Sequence, residues 1–188
     1  MSSTYIHPSS VVDENVVIGE GTKVWHFSHI QSGARIGKNC SFGQNVNVSN
    51  NVIIGDGCKV QNNVSIYEGV EFEDYVFCGP SCVFTNDLTP RAKYPKGRVG
   101  YKKTVVKEGA SIGANATVVC GHVIGKWTMI AAGAVVVSDV PNNALMMGVP
   151  ARFRGWVCEC GNVLSDNLTC DICGRKYTEA NDGLEEVK

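Results

Sequence analysis

Four cysteines near the C-terminal end have the spacing of a metal site. Cys158 and Cys160 form one close pair, Cys170 and Cys173 form a second, and a glycine follows each pair. Such pairs are typical of structural zinc sites, in which four thiolates bind one ion tetrahedrally and leave no position open for chemistry. A single residue separates the first pair, which is closer than the usual two, so an unmetallated flexible tail and a redox role stay as alternatives. We predict a zinc-ribbon-like segment over residues 155–178, followed by a disordered acidic end at 179–188.

A polar, turn-rich segment at residues 85–105 holds side chains that suit a charged substrate. The amide oxygen of Asn86 accepts a hydrogen bond from an amine, but an amide is not a base near neutral pH. The planar guanidinium of Arg91 suits a carboxylate. Long loops are often functional, so we interpret the segment as part of a binding site, with a plain surface insertion as the alternative.

Composition and charge exclude several function classes. The 188 residues include 17 Lys and Arg and 18 Asp and Glu, for a net charge of -1, and a nucleic-acid partner is therefore not expected. The longest apolar run, 129–137, is far shorter than the roughly 18 residues that span a membrane, and residues 1–16 lack a leader pattern. We predict a cytoplasmic protein without membrane insertion, in which the nine cysteines do not form a disulfide framework.

A repeat of six residues governs most of the chain. Fourteen positions spaced by six carry only Ile, Val, Phe or Cys: Ile6, Val12, Ile18, Val24, Ile30, Ile36, Phe42, Val48, Ile54, Val60, Ile66, Phe72, Cys78 and Phe84. The residue four positions after each of the first thirteen is small or β-branched, and the pattern resumes from Val106 to Val136. Neither a helix nor a simple alternating strand keeps this period, whereas stacked coils of short parallel strands do.

The inward positions of these coils account for four of the five cysteines in the body of the chain. Cys40, Cys58, Cys78 and Cys82 fall on inward positions, and we interpret them as small buried hydrophobes rather than redox groups. Cys120 lies off the pattern.

The repeats at 18–23 (IGEGTK), 54–59 (IGDGCK) and 112–117 (IGANAT) resemble the hexapeptide motif of left-handed β-helix acyltransferases. This resemblance covers residues 6 to about 154. It implies an all-β, left-handed parallel β-helix over residues 1–154, with coils of about 18 residues and the segment 85–105 as a protruding loop. It also implies acetyl-CoA as co-substrate and a homotrimer with active sites between neighbouring subunits.

The segment 84–92 (FTNDLTPRA) resembles bacterial acetyltransferases that act on 3-amino sugars linked to UDP. Among these, the UDP-2-acetamido-3-amino-2,3-dideoxy-glucuronate N-acetyltransferases of O-antigen and lipopolysaccharide synthesis are the nearest in pattern. The resemblance implies acetylation of the 3-amino group of such a UDP-linked uronic acid, with Asn86 orienting the amine. Stacking by 18 residues would place Tyr67 and Glu68 beneath the loop, so the predicted substrate-binding residues are Tyr67, Glu68, Asp87 and Arg91.

The donor side of the predicted site consists of small residues and two cations. The resemblance implies that coenzyme A binds along small residues on successive coils, Gly113, Ala114, Ala131 and Ala132. The stretch 148–152 (GVPAR) resembles the family's end of the helix, and Lys126 and Arg152 are the expected partners of the coenzyme A phosphates.

Four histidines are candidates for a general base. His7 is expected at the surface, and His26 and His29 fall on outward positions of an early coil. His122 falls on an inward position, where we expect a hydrogen-bonded core histidine. The base therefore stays open between His29, His122 and no side chain, with the departing thiolate or a water taking the proton.

Three other functions remain as alternatives. One is an N- or O-acetyltransferase for another nucleotide-linked sugar. Another is a γ-class carbonic anhydrase, which would need a zinc triad from His26, His29 and His122. The last is a non-enzymatic β-helix scaffold.

Overall fold

The computed structural model describes residues 3–187, so the ends of the predicted segments 1–154 and 179–188 that fall on Met1, Ser2 and Lys188 lie outside the described residues. These described residues fold into short strands and one 3-10 helix, Gly97–Gly100. The strands are β1 (Tyr5–Ile6), β2 (Val11–Val12), β3 (Val17–Ile18), β4 (Lys23–Val24), β5 (His29–Ile30), β6 (Arg35–Ile36), β7 (Ser41–Phe42), β8 (Asn47–Val48), β9 (Ile53–Ile54), β10 (Lys59–Val60), β11 (Ser65–Ile66), β12 (Val70–Phe72), β13 (Phe77–Cys78), β14 (Val83–Phe84), β15 (Thr104–Val106), β16 (Ser111–Ile112), β17 (Thr117–Val118), β18 (Val123–Ile124), β19 (Met129–Ile130), β20 (Val135–Val136), β21 (Ala144–Met147), β22 (Arg152–Trp156), β23 (Tyr177–Ala180) and β24 (Gly183–Glu186). Among residues 3–187 no helix has the length and apolar character needed to cross a membrane.

From β1 to β20 every third strand lies in the same sheet, which gives a β-helix with three faces. Sheet A has nine strands, from β1 through β4 to β21 and β22; sheet B has seven, from β2 to β20; and sheet C has six, from β3 to β18. All pairs in these sheets are parallel except β21 with β22. We call the turns between the faces the AB, BC and CA corners. The predicted parallel β-helix is confirmed.

The strand register confirms the 18-residue coil. Val24 pairs with Phe42, and Val60 pairs with Cys78, each 18 positions further along the chain. Around the protruding loop the offset is larger, since Phe77 pairs with Ser111. The stacking of the coils is otherwise unbroken, because sheets A, B and C all pair across this point.

The repeated Ile, Val and Phe residues form the core, as predicted, from the second coil onward. Val24, Phe42, Ile66 and Phe84 are fully buried. Ile6, in the first coil, is 39% exposed because no coil precedes it. Burial of a side chain of this size stabilises the fold by roughly 1.5–3 kcal/mol, so the ladder is the main source of stability.

Small polar groups at the inward corner positions bond the coils to one another. A hydroxyl or thiol donates to a carbonyl on the next coil. The acceptor is fifteen residues ahead for Thr22 to Gly37 (2.8 Å), Ser28 to Gly43 (3.0 Å), Cys40 to Gly55 (3.2 Å) and Cys58 to Glu73 (3.3 Å), and thirteen ahead for Thr128 to Pro141 (2.8 Å). The Cys40 thiol and burial raise the pKa of Cys58, which keeps its thiol protonated. These cysteines are buried as predicted, and in addition they bridge successive coils.

The corners need backbone conformations that few residue types adopt. One residue of nearly every turn has a positive φ, and most are asparagine or glycine, such as Asn63 and Asn115. Phe27, Tyr75 and Trp127 also adopt it, and the rings of Tyr75 and Trp127 lie over Gly57 and Gly109, where an added Cβ would fall within 2.6 Å and 2.1 Å of them.

The C-terminal end differs from the prediction of disorder. Residues 177–180 and 183–186 pair as an antiparallel hairpin, and Leu184 is 4% exposed against Tyr177 and the cysteines. Gly183, with a φ of +124°, begins the second strand where a side chain would collide with Asn142. The apolar Leu184 and this glycine order a segment that its acidic composition suggested was unstructured.

Candidate active site and cysteine cluster

The protruding loop leaves the helix at the BC corner, after β14, and returns at β15. Its residues are 85–103, because Thr104 is already part of the returning strand and is fully buried. The predicted loop, 85–105, was therefore two residues too long at its C-terminal end.

The next coil holds both ends of the loop. The Thr85 hydroxyl accepts the Cys120 N–H at 2.9 Å, and the Thr104 hydroxyl accepts the Gly121 N–H at 3.2 Å. The Lys102 N–H donates to the Asn86 carbonyl at 2.8 Å. The backbone beside the Asn86 side chain is thereby fixed to the rigid part of the molecule. Cys120 is buried at this contact, a role that its place off the repeat did not reveal.

A polar cluster orders the interior of the loop. The Lys96 ammonium donates to the Asp87 carboxylate and to the Thr89 hydroxyl, and the Thr89 N–H donates to Asp87 at 2.9 Å. This ammonium lowers the pKa of the Asp87 carboxyl, which stays ionised to lower pH than usual. Sequence reasoning did not assign Lys96 to the site, because nothing in its spacing of nine residues from Asp87 indicates a pair.

A cavity of about 380 Å³ lies against the loop. Three residues of the predicted site, Asn86, Asp87 and Arg91, line it together with Lys96 and Tyr101. Among residues 3–187 the Asn86 side-chain amide has no hydrogen-bond partner, and no carboxylate lies within 4 Å of the Arg91 guanidinium. An amide and a guanidinium that share one cavity can bind an amine and an anionic group of one ligand.

The two residues predicted beneath the loop have different surroundings. Glu68 accepts from Arg98 of the loop at 3.1 Å and from the Asn51 amide at 3.1 Å, so it anchors the loop rather than facing the cavity. Tyr67 is 43% exposed on the coil below and does not line the cavity.

His122 lies at the BC corner, one coil beyond the base of the loop. It was predicted to be a core histidine, but its side chain is 25% exposed and its Nδ1 lies 3.4 Å from Asp139. Cys120 occupies the buried position of this turn instead. His29 is also paired, with Asp13 at 2.9 Å, on the outer side of an early coil.

Most of the predicted donor residues lie along the AB corner. Gly113 and Ala114 follow β16, and Ala131 and Ala132 follow β19 on the next coil. A Cβ on Gly113 would lie 2.5 Å from the Ala132 nitrogen, so stacking alone requires this glycine.

We call the row formed by Gly113, Ala114, Ala131 and Ala132 the donor strip. Arg152 lies beside it, and Lys126 does not. The turn 148–151 closes the strip, with the Ala151 N–H donating to Val135 at 2.7 Å, and Arg152 follows directly. Lys126 lies at the CA corner, paired with Glu108 at 3.2 Å. Sheet A lies between these two corners, so the predicted role of Lys126 with the coenzyme A phosphates stays a prediction.

The four C-terminal cysteines converge as predicted. Their sulfur atoms all lie within 4.8 Å of one another, with Cys158 to Cys173 at 3.4 Å and Cys160 to Cys170 at 3.5 Å. A tetrahedral zinc ion with Zn–S bonds of about 2.3 Å requires sulfurs about 3.8 Å apart. The cluster therefore fits zinc in ligand type, number and spacing.

Comparison with known proteins agrees with this architecture. Residues 15–50 and 33–68 match the bacterial transferase hexapeptide family (six repeats). The dTDP-3-amino-3,6-dideoxy-alpha-D-galactopyranose 3-N-acetyltransferase of Aneurinibacillus thermoaerophilus is 44% identical over 182 residues, 96% of this chain and 93% of the relative.

Two solved structures share the fold at moderate identity. A GDP-perosamine N-acetyltransferase variant from Caulobacter crescentus, in complex with CoA and GDP-perosamine, is 27% identical with a TM-score of 0.56 over 82% of this chain and 57% of that one. A hexapeptide-repeat acetyltransferase of Vibrio cholerae, complexed with acetyl-CoA, is 27% identical with a TM-score of 0.56 over 66% of this chain and 70% of that one. The repeat, the β-helix and the near full-length relative together show that this chain belongs to the bacterial hexapeptide-repeat transferases, among the sugar-nucleotide N-acetyltransferases.

Proposed function

We propose that this protein transfers the acetyl group of acetyl-CoA to the 3-amino group of a sugar linked to a nucleoside diphosphate. The observation that carries the proposal is the side-chain amide of Asn86, which has no hydrogen-bond partner among residues 3–187 and lines a cavity that Arg91 also lines. The Aneurinibacillus relative acetylates a 3-amino group, which supports the same position on the sugar.

The chemistry requires an oriented, neutral amine. The Asn86 oxygen accepts a hydrogen bond from the amine and directs its lone pair at the thioester carbonyl. A nitrogen–carbon bond forms, the tetrahedral oxyanion collapses, and the carbon–sulfur bond breaks to leave an amide and CoA thiolate. The proton lost from nitrogen neutralises the thiolate, directly or through water, so no side-chain base is required.

One chain holds the two halves of the site on different corners. Asn86 belongs to the BC corner, and the strip formed by Gly113, Ala114, Ala131 and Ala132 belongs to the AB corner, with sheet B between them. We therefore propose a homotrimer in which the loop of one subunit faces the strip of its neighbour.

The direct test is to incubate the protein with acetyl-CoA and a nucleotide-linked 3-amino sugar and to follow the sugar by mass spectrometry. The expected result is the gain of one acetyl group, absent when a 3-hydroxy sugar replaces the amine. If CoA raises the thermal stability of the protein but no acetyl group is transferred to any 3-amino sugar, the proposed acceptor is wrong. An absence of both would favour the scaffold alternative.

The finer proposal is that the acceptor is a UDP-linked 2-acetamido-3-amino-2,3-dideoxy uronic acid, whose carboxylate Arg91 binds. A dTDP-linked 3-amino-3,6-dideoxy sugar, the type named for the relative, is the second candidate. The exposed guanidinium of Arg91, with no carboxylate within 4 Å among residues 3–187, favours the uronate.

Arg91→Lys tests this choice, because lysine keeps the charge and loses the planar fork. We expect KM for the uronate to rise about tenfold with kcat little changed, and KM for the 6-deoxy sugar to stay the same. Arg154→Lys, an exposed arginine outside the loop, is the matched control. An unchanged KM for the uronate would remove Arg91 from this role.

We also propose that Cys158, Cys160, Cys170 and Cys173 bind one structural zinc ion, because their sulfurs have the required type and spacing. Protein produced with zinc supplied should contain about one zinc per chain by elemental analysis. Cys170→Ser should lose the metal, whereas Cys82→Ala, a buried cysteine of the β-helix, should keep it. Metal-free wild-type protein would contradict the proposal.

A further inference from the structure

The two ends of the β-helix are covered differently. Ile6, at the first end, is 39% exposed, whereas Val140 and Met146 in the last coil are 4% and 6% exposed. A terminal coil without a neighbour leaves its apolar interior in water, so the residues beyond it must cover the second end. Ala151 is buried with the last coil, and Trp156 packs against both this core and that of the cysteine cluster.

The C-terminal unit, residues 157–187, contacts the last CA corner at two places. At the first anchor, the Val157 N–H donates to the Asn143 carbonyl at 2.7 Å, and the Asn143 amide donates back to the Val157 carbonyl at 2.9 Å. At the second anchor, the Asn142 N–H donates to the Asp182 carbonyl at 2.7 Å. Gly183 lies so close there that a Cβ would be 2.3 Å from the Asn142 oxygen.

The cysteine cluster lies between the two anchors, which are otherwise linked by ion pairs of Arg175 with Glu159 at 3.7 Å and Glu186 at 3.4 Å. Exposed ion pairs of this kind contribute little to stability. The buried apolar core of the unit comprises Cys158, Leu164, Cys170, Tyr177 and Leu184, and two of these five are thiols of the cluster. A unit of this size buries too little apolar surface to fold without a staple. Cys158 follows the first anchor directly, and its sulfur lies 3.1 Å from the hydroxyl of Tyr177, the first residue of the hairpin that carries the second anchor.

We propose that zinc at the cysteine cluster makes residues 157–187 a cap on the C-terminal end of the β-helix, by holding the two anchors at a fixed separation. Strand β22 joins the first anchor to the turn 148–151, so the cap also positions Arg152 beside the donor strip. Loss of the metal therefore loosens the last coil and weakens the binding of coenzyme A. This inference rests on the proposed zinc site and, for its second part, on the proposed function.

The test compares zinc-loaded and chelator-treated full-length protein by hydrogen exchange and by CoA titration. We expect the amides of Asn142, Val157 and Leu184 to exchange about tenfold faster or more without metal, while coils 23–84 are unchanged. CoA should bind several-fold more weakly. Cys173→Ser should reproduce the metal-free pattern, and Asp166→Asn, an exposed residue of the same unit, should behave as wild type.

A second variant separates the cap from the folding of the metal site. Gly183→Val keeps all four thiols but collides with Asn142, so zinc content should stay full while the amides of Asn142 and Leu184 exchange faster. If the amides of Asn142, Leu184 and Val157 exchange at the same rates with and without zinc, the proposal of a zinc-dependent cap is wrong. Failure of the zinc-loaded protein to bind CoA would instead reject the proposed function, and the exchange data would still decide the cap.

Discussion

Asn86→Ala is expected to lower kcat for acetyl transfer by about a hundredfold or more, because the amine loses the acceptor that aims its lone pair. The change should leave the binding of coenzyme A intact, since Asn86 is not one of the residues of the donor strip. Stability should change little, because the Asn86 amide has no hydrogen-bond partner among residues 3–187. Steady-state kinetics with the 3-amino sugar, together with CoA titration, measure both effects.

His122→Asn is the control that separates orientation from base catalysis. If no side-chain base acts, His122→Asn retains most of kcat and leaves the pH profile of kcat unchanged. A base at His122, which lies beside Asp139 one coil beyond the loop, would instead give kcat a pH dependence that His122→Asn abolishes. If His122→Asn has that effect and Asn86→Ala is nearly neutral, Asn86 loses its role.

Phe84→Ala should destabilise the protein by about 3–5 kcal/mol. The side chain is fully buried, with its ring 5.4 Å from that of Phe72, and its removal leaves a cavity that rigid coils on both sides cannot close. Urea unfolding followed by circular dichroism measures the change. The loop begins at the next residue, so activity should also fall at temperatures where the variant is still folded.

Val83→Ala is the matched control, because Val83 belongs to the same strand but points outward and is 43% exposed. Its free energy of unfolding should change by less than about 1 kcal/mol. Equal losses in the free energy of unfolding for Phe84→Ala and Val83→Ala would contradict the assignment of inward and outward positions in the repeat.

The fold was predictable because one feature, a large apolar residue every six positions, specifies burial, strand and corner together. The predictions from sequence failed where contacts join residues that lie outside this repeat. The hairpin 177–186 depends on one leucine and one glycine within an acidic segment, and the pair of Glu68 with Arg98 depends on how the loop folds back.

The candidate site was predictable only in part. The exit of the loop at Thr85 followed from the break in spacing, and the cavity does unite Asn86, Asp87 and Arg91. Lys126 lies at another corner than Arg152 and the small residues, and the residue types alone do not indicate this unless the register is counted.

The strands on either side of the loop stack as though it were not there. Val70 pairs with Thr104 and Val83 with Thr117, so neither the length nor the content of the excursion affects the register of the coils. If the loop binds the acceptor as proposed, a graft between residues 86 and 102 changes the choice of sugar without altering the stacked coils on either side.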